Sequence, residues 1–341
     1  MLILGIETSC DETAAAVVRD GRRVLSSRVA SQDDLHARFG GVVPEIACRA
    51  HLEVIPFVVG DALAEAGVAP GDLDAVAVVN GPGLVGSLLI GLTAAKTYAW
   101  LHGLPLVAVN HVAAHVYAAH LLPGELEYPT VGLIASGGHT SLCHASSPAE
   151  IDYLGGTIDD AAGEAFDKVA HILGLGYPGG PAVQNAAERG NPSKIDFPRS
   201  MLGPGSLDFS FSGLKTAVLY HVCGKDGKER DASALGGREI ADVAASFQEA
   251  VVDVLVKKSV AACVQRACRR LVIGGGVAAN TRLREKLARA AKHEAIELHV
   301  PEFRYCTDNA AMVAGLGEHL LRAGRTADLD LDAVPQLSDL K

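Results

Sequence analysis

The apolar pattern of this chain runs twice, and that repetition constrains its fold more than any single motif. In the first half, short β-branched runs at 2–6, 14–18 and 24–29 predict three strands, with Asp20-Gly21 as a hairpin turn between the last two. A helical pattern over 44–66, a buried strand at 73–79, a helix over 87–100, a strand at 105–109 and a helix over 112–120 follow. The second half repeats the order: strands at 130–135, 141–145 and 151–154, helices at 160–173 and 238–267, a strand at 271–273, a helix over 281–292, a strand at 297–300 and a helix over 308–323. Each half thus reads as three strands followed by alternating helices and strands, an internal duplication. Two α/β lobes facing each other across a cleft, with glycine-rich turns pointing into it, satisfy that pattern.

A chain of 341 residues fits two domains at roughly 150 residues each. The expected lobes are 1–125 and 126–341, the second carrying a Gly-, Pro- and Ser-rich insertion near 174–231 and a last helix able to pack back on the first lobe. The formal charge of −10 is the wrong sign for a chain that binds nucleic acid alone through a broad basic face. Seven cysteines without a C-x-x-C pair indicate reduced thiols and a cytoplasmic setting. The opening MLILGIETSCDE lacks a basic n-region, and no apolar run reaches the roughly 20 residues needed to span a bilayer, so no membrane association is expected.

His111 and His115 lie one helical turn apart on one face and can grip a divalent metal. The same spacing also suits one histidine in the core and one in solvent. Val112 stands where a zinc protease of the H-E-x-x-H type needs its glutamate, which demotes peptide hydrolysis. Asp308 is a candidate third ligand, or else a residue opening the last helix behind a Thr307 N-cap. Ser136-Gly137-Gly138-His139-Thr140 between two strands offers backbone N–H groups to an anion, and residues 9–13 hold the equivalent place in the first half. Gly274-Gly275-Gly276 leads to Asn280 at a helix start, a place for a nucleoside or phosphate. Asp11 and Glu12 are adjacent carboxylates on the first turn, able to position a cation or water or merely to solvate the turn. Asp167, with Lys168, sits on a predicted helix and can accept from a substrate hydroxyl or amine, and 177–181 reads as a rigid cleft-facing loop. Basic residues cluster over 266–292, a solvated helix face or a contact for a phosphate backbone.

The strings GIETSCDETAAAVV, NGPGLVGSLLIGLTAAK, NHVAAH, ASGGHTSL, YPGGP, FSFSGLKTA, GGGVAANTRLRE and CTDNAAM, in this order along nearly the whole chain, resemble the tRNA threonylcarbamoyladenosine transferase family of the TsaD type. The resemblance implies a duplicated actin-like ATPase fold (ASKHA, ribonuclease-H-like) around a nucleotide cleft. It implies transfer of a threonylcarbamoyl group from threonylcarbamoyl-adenylate to the exocyclic amine of the adenosine 3′ of the anticodon, in tRNAs reading codons that begin with A. His111, His115 and Asp308 then bind one iron(II) ion, with zinc or another divalent ion as substitutes. Ile134, Ala135, Ser136, Gly137, Gly138, Asp167, Gly180 and Asn280 line the substrate site, and Asp11 and Glu12 are the candidate catalytic carboxylates. The expected partners are tRNA, a paralogous dimerisation subunit of the TsaB type and a small ATPase of the TsaE type.

Two positions depart from the family pattern. Ala114 replaces a glycine between the histidines, and Gln184 replaces an aspartate after the Gly-Gly-Pro loop. The alternative is an ATPase or small-molecule kinase of the same fold, which shares the glycine turns but has no need of His-x-x-x-His.

Overall fold

The sheets carry the duplication. The computed structural model describes residues 1–122, 126–224 and 232–336. The boundary expected after residue 125 and the last residues of the expected insertion, 225–231, fall outside them. In chain order the first half holds β1 (Leu2–Glu7), β2 (Glu12–Arg19), β3 (Arg23–Ser31), α1 (Asp33–His36), α2 (Pro44–Ala66), β4 (Ala75–Gly81), α3 (Val85–His102), β5 (Leu106–Asn110) and α4 (His111–Tyr117). The second holds β6 (Thr130–Ala135), β7 (Thr140–Ser147), β8 (Glu150–Gly156), α5 (Ala162–Ile172), α6 (Gly179–Ala187), α7 (Ser212–Cys223), α8 (Gly237–Gln265), β9 (Arg270–Gly274), α9 (Thr281–His293), β10 (Glu297–His299) and α10 (Ala310–Arg322).

Each sheet has five strands, in the orders β3-β2-β1-β4-β5 and β8-β7-β6-β9-β10, so one is the topological copy of the other. The first three strands of each pair antiparallel and the last two add in parallel through helical crossovers. Asp20 and Gly21 are both at positive φ, 52° and 69°, as the central pair of a type I′ turn requires, and Arg22 N–H closes that turn onto the Arg19 carbonyl at 3.3 Å before Arg23 pairs with Arg19.

Period-two alternation divides each buried strand between two faces. In β2, Ala15 and Val17 pack with Leu4, Ile6 and the α2 and α3 side chains Ile55, Val59, Leu92 and Ala95. Ala14, Ala16 and Val18 turn to the opposite face, where they meet Tyr117 of α4 and Ala310, Ala311 and Ala314 of α10. The last helix therefore covers the first sheet. Gly5 makes this possible: a Cβ there would lie 2.3 Å from the Ala310 carbonyl oxygen, so helix backbone rests directly on strand backbone. The far side of α4 presents Val112 and Val116 to Ile134 and Cys143 of the second sheet, making α4 the wedge between the lobes.

The Gly/Pro/Ser-rich stretch holds two helices, α6 and α7, where the sequence reading expected loop. Pro181 falls in the first turn of α6, where a missing N–H costs no hydrogen bond, so the constrained 177–181 run opens a helix instead of forming a loop. Buried Lys258 of α8 fixes the segment between them by donating to the carbonyls of Met201, Ser206 and Asp208 at 3.0, 3.0 and 2.5 Å. All seven cysteines are free thiols. Among the described residues no helix is long and apolar enough to cross a membrane.

Candidate metal centre

Helix α4 starts at His111 because Asn110 caps it, its Oδ1 accepting from the Ala113 N–H at 3.0 Å. Tyr153 of β8 donates to the same oxygen at 3.0 Å, tying the cap to the second lobe. The helix gives way after Tyr117 to a 3-10 turn over Ala118–Leu121, and its two histidines stand edge to face with ring centres 4.7 Å apart. Asp308 arrives from the other end of the sequence. It precedes α10 instead of opening it: Asn309 is the N-cap, accepting from Met312 N–H at 3.1 Å, and Thr307 does not cap. With Asn309 committed to the helix, the neighbouring carboxylate is free to turn into the cleft. His115 Nε2 lies 3.0 Å and His111 Nε2 3.6 Å from Asp308 Oδ1. One ligand atom from each of the three residues lies within 4.8 Å of the others.

Behind the cage, His111 Nδ1 faces Glu7 Oε2 at 2.8 Å and Ser9 Oγ at 3.1 Å, while Glu7 Oε1 accepts the Ser9 N–H at 2.6 Å. A carboxylate on one ring nitrogen fixes the tautomer that leaves the other free for a metal. Burial disfavours a charged His111, but the Asp308 and Glu7 carboxylates outweigh it and push its pKa up to about 9. The same imidazoles draw Asp308 below the ordinary carboxylate range despite its burial. This electrostatic trap for positive charge, with two imidazoles and one carboxylate, fits a divalent first-row ion.

The turn after β6 closes over the cage. His139 brings its ring to 5.6 Å from that of His111, and burial together with the neighbouring imidazoles holds it down at about 4, so it is neutral. Ser136 N–H donates to the His139 carbonyl at 2.7 Å and His139 N–H to Ser136 Oγ at 3.1 Å, closing the turn. Nothing would lie within 4 Å of a Cβ on Gly137 or Gly138, so this backbone is open to an approaching group. Ile134 and Ala135 are buried in the sheet and can offer only backbone.

The remaining candidates differ in what their side chains are free to do. Asp167 accepts the Gly179 N–H at 2.8 Å where α6 begins, and burial holds its pKa up to about 6. A Cβ on Gly180 would meet open space. The Asn280 side chain is committed, Oδ1 capping α9 and Nδ2 donating to Gln248 at 2.8 Å. Gln184 accepts the Thr281 N–H at 2.9 Å, so the residue that departs from the family pattern ties α6 to the start of α9. Ala114 is buried within α4. Burial, then the charges of Asp308 and Asp11, drive the Glu12 pKa well up, so Glu12 lies within electrostatic reach of Asp308, and Ser9 of the same turn touches His111 Nδ1 at 3.1 Å.

Part of the basic cluster over 266–292 is already paired. Arg282 and Lys286 bind Glu249, Lys286 also binds Asp253, Arg270 meets Glu127 and Glu297, and Arg284 stacks on Phe303. Sequence reasoning had counted Ser9 and His139 only as members of the two anion-facing turns and had given Glu7 no part in the site. His139 lay in view inside ASGGHTSL, flanked by the glycines it accompanies.

Two α/β lobes of one topology, with glycine turns and an imidazole–carboxylate cage between them, define a protein of the actin-like ATPase fold. Solved structures bear out that class: the (R)-2-hydroxyglutaryl-CoA dehydratase component A of Acidaminococcus fermentans aligns over 94% of this chain and 98% of its own, with TM-score 0.53 and 14% identity. HypF of T. kodakarensis aligns over 97% of this chain and 49% of its own, with TM-score 0.63 and 15% identity. At such identities the likeness is one of fold alone. A family model described as TsaD, tRNA N6-adenosine threonylcarbamoyltransferase, matches residues 23–315. Curated relatives of that name share 53% identity in Symbiobacterium thermophilum (98% of this chain, 96% of the relative) and 52% in Geobacter sp. strain M21 (98% and 96%). The chain belongs to the tRNA N6-adenosine threonylcarbamoyltransferase family. Its reaction is an acyl transfer that modifies tRNA, and the ATPase or small-molecule kinase alternative is not favoured.

Proposed function

We propose that this chain transfers the threonylcarbamoyl group from threonylcarbamoyl-adenylate to the exocyclic amine of the adenosine 3′ of the anticodon, in tRNAs that read codons beginning with A. The observation that carries this is the convergence of His111, His115 and Asp308 beside the open Ser136-Gly137-Gly138 turn. His111, His115 and Asp308 would hold one iron(II) ion, for which zinc or another divalent ion could substitute; when bound it would supply Lewis acidity to the acyl transfer.

The residues of the chain supply the rest. Glu7 and Ser9 orient His111. Gly137 and Gly138 turn backbone N–H groups to the phosphate or acyl oxygens of the donor, where charge develops. Ile134, Ala135, Asp167, Gly180 and Asn280 shape the adenylate side of the cleft. The amine nitrogen bonds to the carbamoyl carbon, the bond from that carbon to the phosphate oxygen breaks, and adenylate leaves. Asp11 or Glu12 takes the amine proton. No protein nucleophile is needed, because the donor arrives activated.

A net charge of −10 makes tRNA binding by this chain alone weak, so a paralogous subunit of the TsaB type and a small ATPase of the TsaE type complete the system in the cytoplasm. Reconstitution with tRNA, threonine, bicarbonate, ATP, a synthase for the adenylate and these partners, followed by nucleoside analysis, tests the proposal. Threonylcarbamoyladenosine formed by the wild type and lost in His111→Ala supports it. Unmodified tRNA with the metal-loaded wild type overturns it.

A further inference from the structure

The turn that carries Asp11 and Glu12 is longer than a hairpin needs. Pairing between β1 and β2 stops at Glu7 with Ala14, and pairing between β2 and β3 begins only at Glu12 with Ser31, so 8–11 lie outside both ladders. The first part of this loop is fastened to α3, with Thr8 Oγ1 donating to the Ser87 carbonyl and Leu84 N–H to the Ser9 carbonyl, both at 2.8 Å. The second part is fastened by His51. This residue projects from α2, is completely buried, and meets the Cys10 carbonyl with Nε2 at 2.9 Å and Thr13 Oγ1 with Nδ1 at 2.7 Å. A carbonyl oxygen only accepts, so Nε2 carries the proton and Nδ1 accepts from the Thr13 hydroxyl. Burial lowers the basicity of the ring and keeps it in that neutral form.

Both nitrogens of His51 thus bracket one dipeptide, reaching residues 41 and 38 positions away in sequence. A histidine kept only to fill the core would be satisfied by any two partners. We propose that His51 is a positioning residue of the acyl-transfer site: its Nε2–H to the Cys10 carbonyl sets the orientation of the Asp11–Glu12 carboxylates against the His111–His115–Asp308 cage. The inference rests on the function proposed above.

The two amide replacements separate this role from packing. Glutamine places an N–H where Nε2 was and can still reach the Cys10 carbonyl, whereas asparagine reaches only the Nδ1 position. Transfer rates and bound metal are measured for the wild type, His51→Gln, His51→Asn and His51→Ala in the reconstituted system, at a temperature where melting curves show all four folded. A displaced carboxylate lowers kcat by about tenfold or more in the Asn and Ala variants, with glutamine within about threefold of wild type. Donor KM and metal content stay at wild-type levels throughout. Equal kcat in the Gln and Asn variants, or a loss confined to KM or to metal content, overturns the assignment while the functional proposal stands. A wild type that fails to modify tRNA overturns both.

Discussion

Replacing Glu7 by glutamine tests whether the buried carboxylate behind His111 sets the metal affinity of the cage. Both oxygens of Glu7 accept, one from the Ser9 N–H at 2.6 Å and one from His111 Nδ1 at 2.8 Å, and the pair is 0% and 2% exposed. Glutamine keeps the volume but has one accepting oxygen, so its NH₂ must face one of two donors. If it faces Ser9, that buried donor is left unmatched, at a cost of about 1–3 kcal/mol to the fold, and His111 keeps its tautomer but loses the carboxylate charge that raises its basicity as a ligand. If it faces His111, Nδ1 must accept, the ring proton moves to Nε2, and the ligating lone pair is lost. Either route weakens metal binding by about 10- to 100-fold, or roughly 1.4–2.7 kcal/mol. Anaerobic competition against a chromophoric chelator measures the change, with iron(II) and zinc(II) titrated separately and thermal melts confirming the fold. A folded Glu7→Gln protein whose dissociation constant stays within about twofold of wild type refutes the argument that this carboxylate tunes the cage.

Three further outcomes follow from packing and charge. A methyl at Gly5 collides with the Ala310 carbonyl, so Gly5→Ala lowers stability by about 1–3 kcal/mol in urea unfolding, and an unchanged midpoint would contradict the contact. Asn309→Ala removes the cap of α10 and costs about 1 kcal/mol, read in the same assay. His120, stacked on Tyr117 and bonded to Tyr128 at 2.6 Å, has its pKa lowered by burial to about 4. The unfolded chain therefore binds the extra proton first: this stability is present above pH 6.5 and lost as pH falls toward 4, by up to about 3 kcal/mol. His120→Gln should flatten that slope in melts between pH 7 and 4.5, and an unaltered slope would assign it elsewhere.

The topology was legible because alternation in buried strands is a local signal. Ala14 to Val18 reads as a strand without its neighbours, and the same holds for 130–135. Helices α6 and α7 escaped because glycine, proline and serine weaken local propensity, while packing of Val183, Leu214 and Val218 into the second core overrides it. The cap of α10 was misplaced by two residues since Thr307 and Asn309 are both competent, and only the turn geometry selects one. The triad was legible as parts, since one helical turn between histidines is local. Its closure, with Asp308 193 positions beyond His115, and the Glu7 contact, 104 positions from His111, depend on how two sheets meet.

That α10 lies on the first sheet governs how a nascent chain can reach its native state. The strands of the amino-terminal lobe leave the ribosome early, but the face bearing Ile3, Ala14 and Ala16 has only part of its cover, Tyr117 of α4 within it, until residues 310–322 emerge. The first lobe is therefore completed last, by the segment that delivers Asp308. A truncated translation product exposes part of this surface and lacks Asp308 at once, so one defect both uncovers the sheet and opens the His111–His115–Asp308 cage.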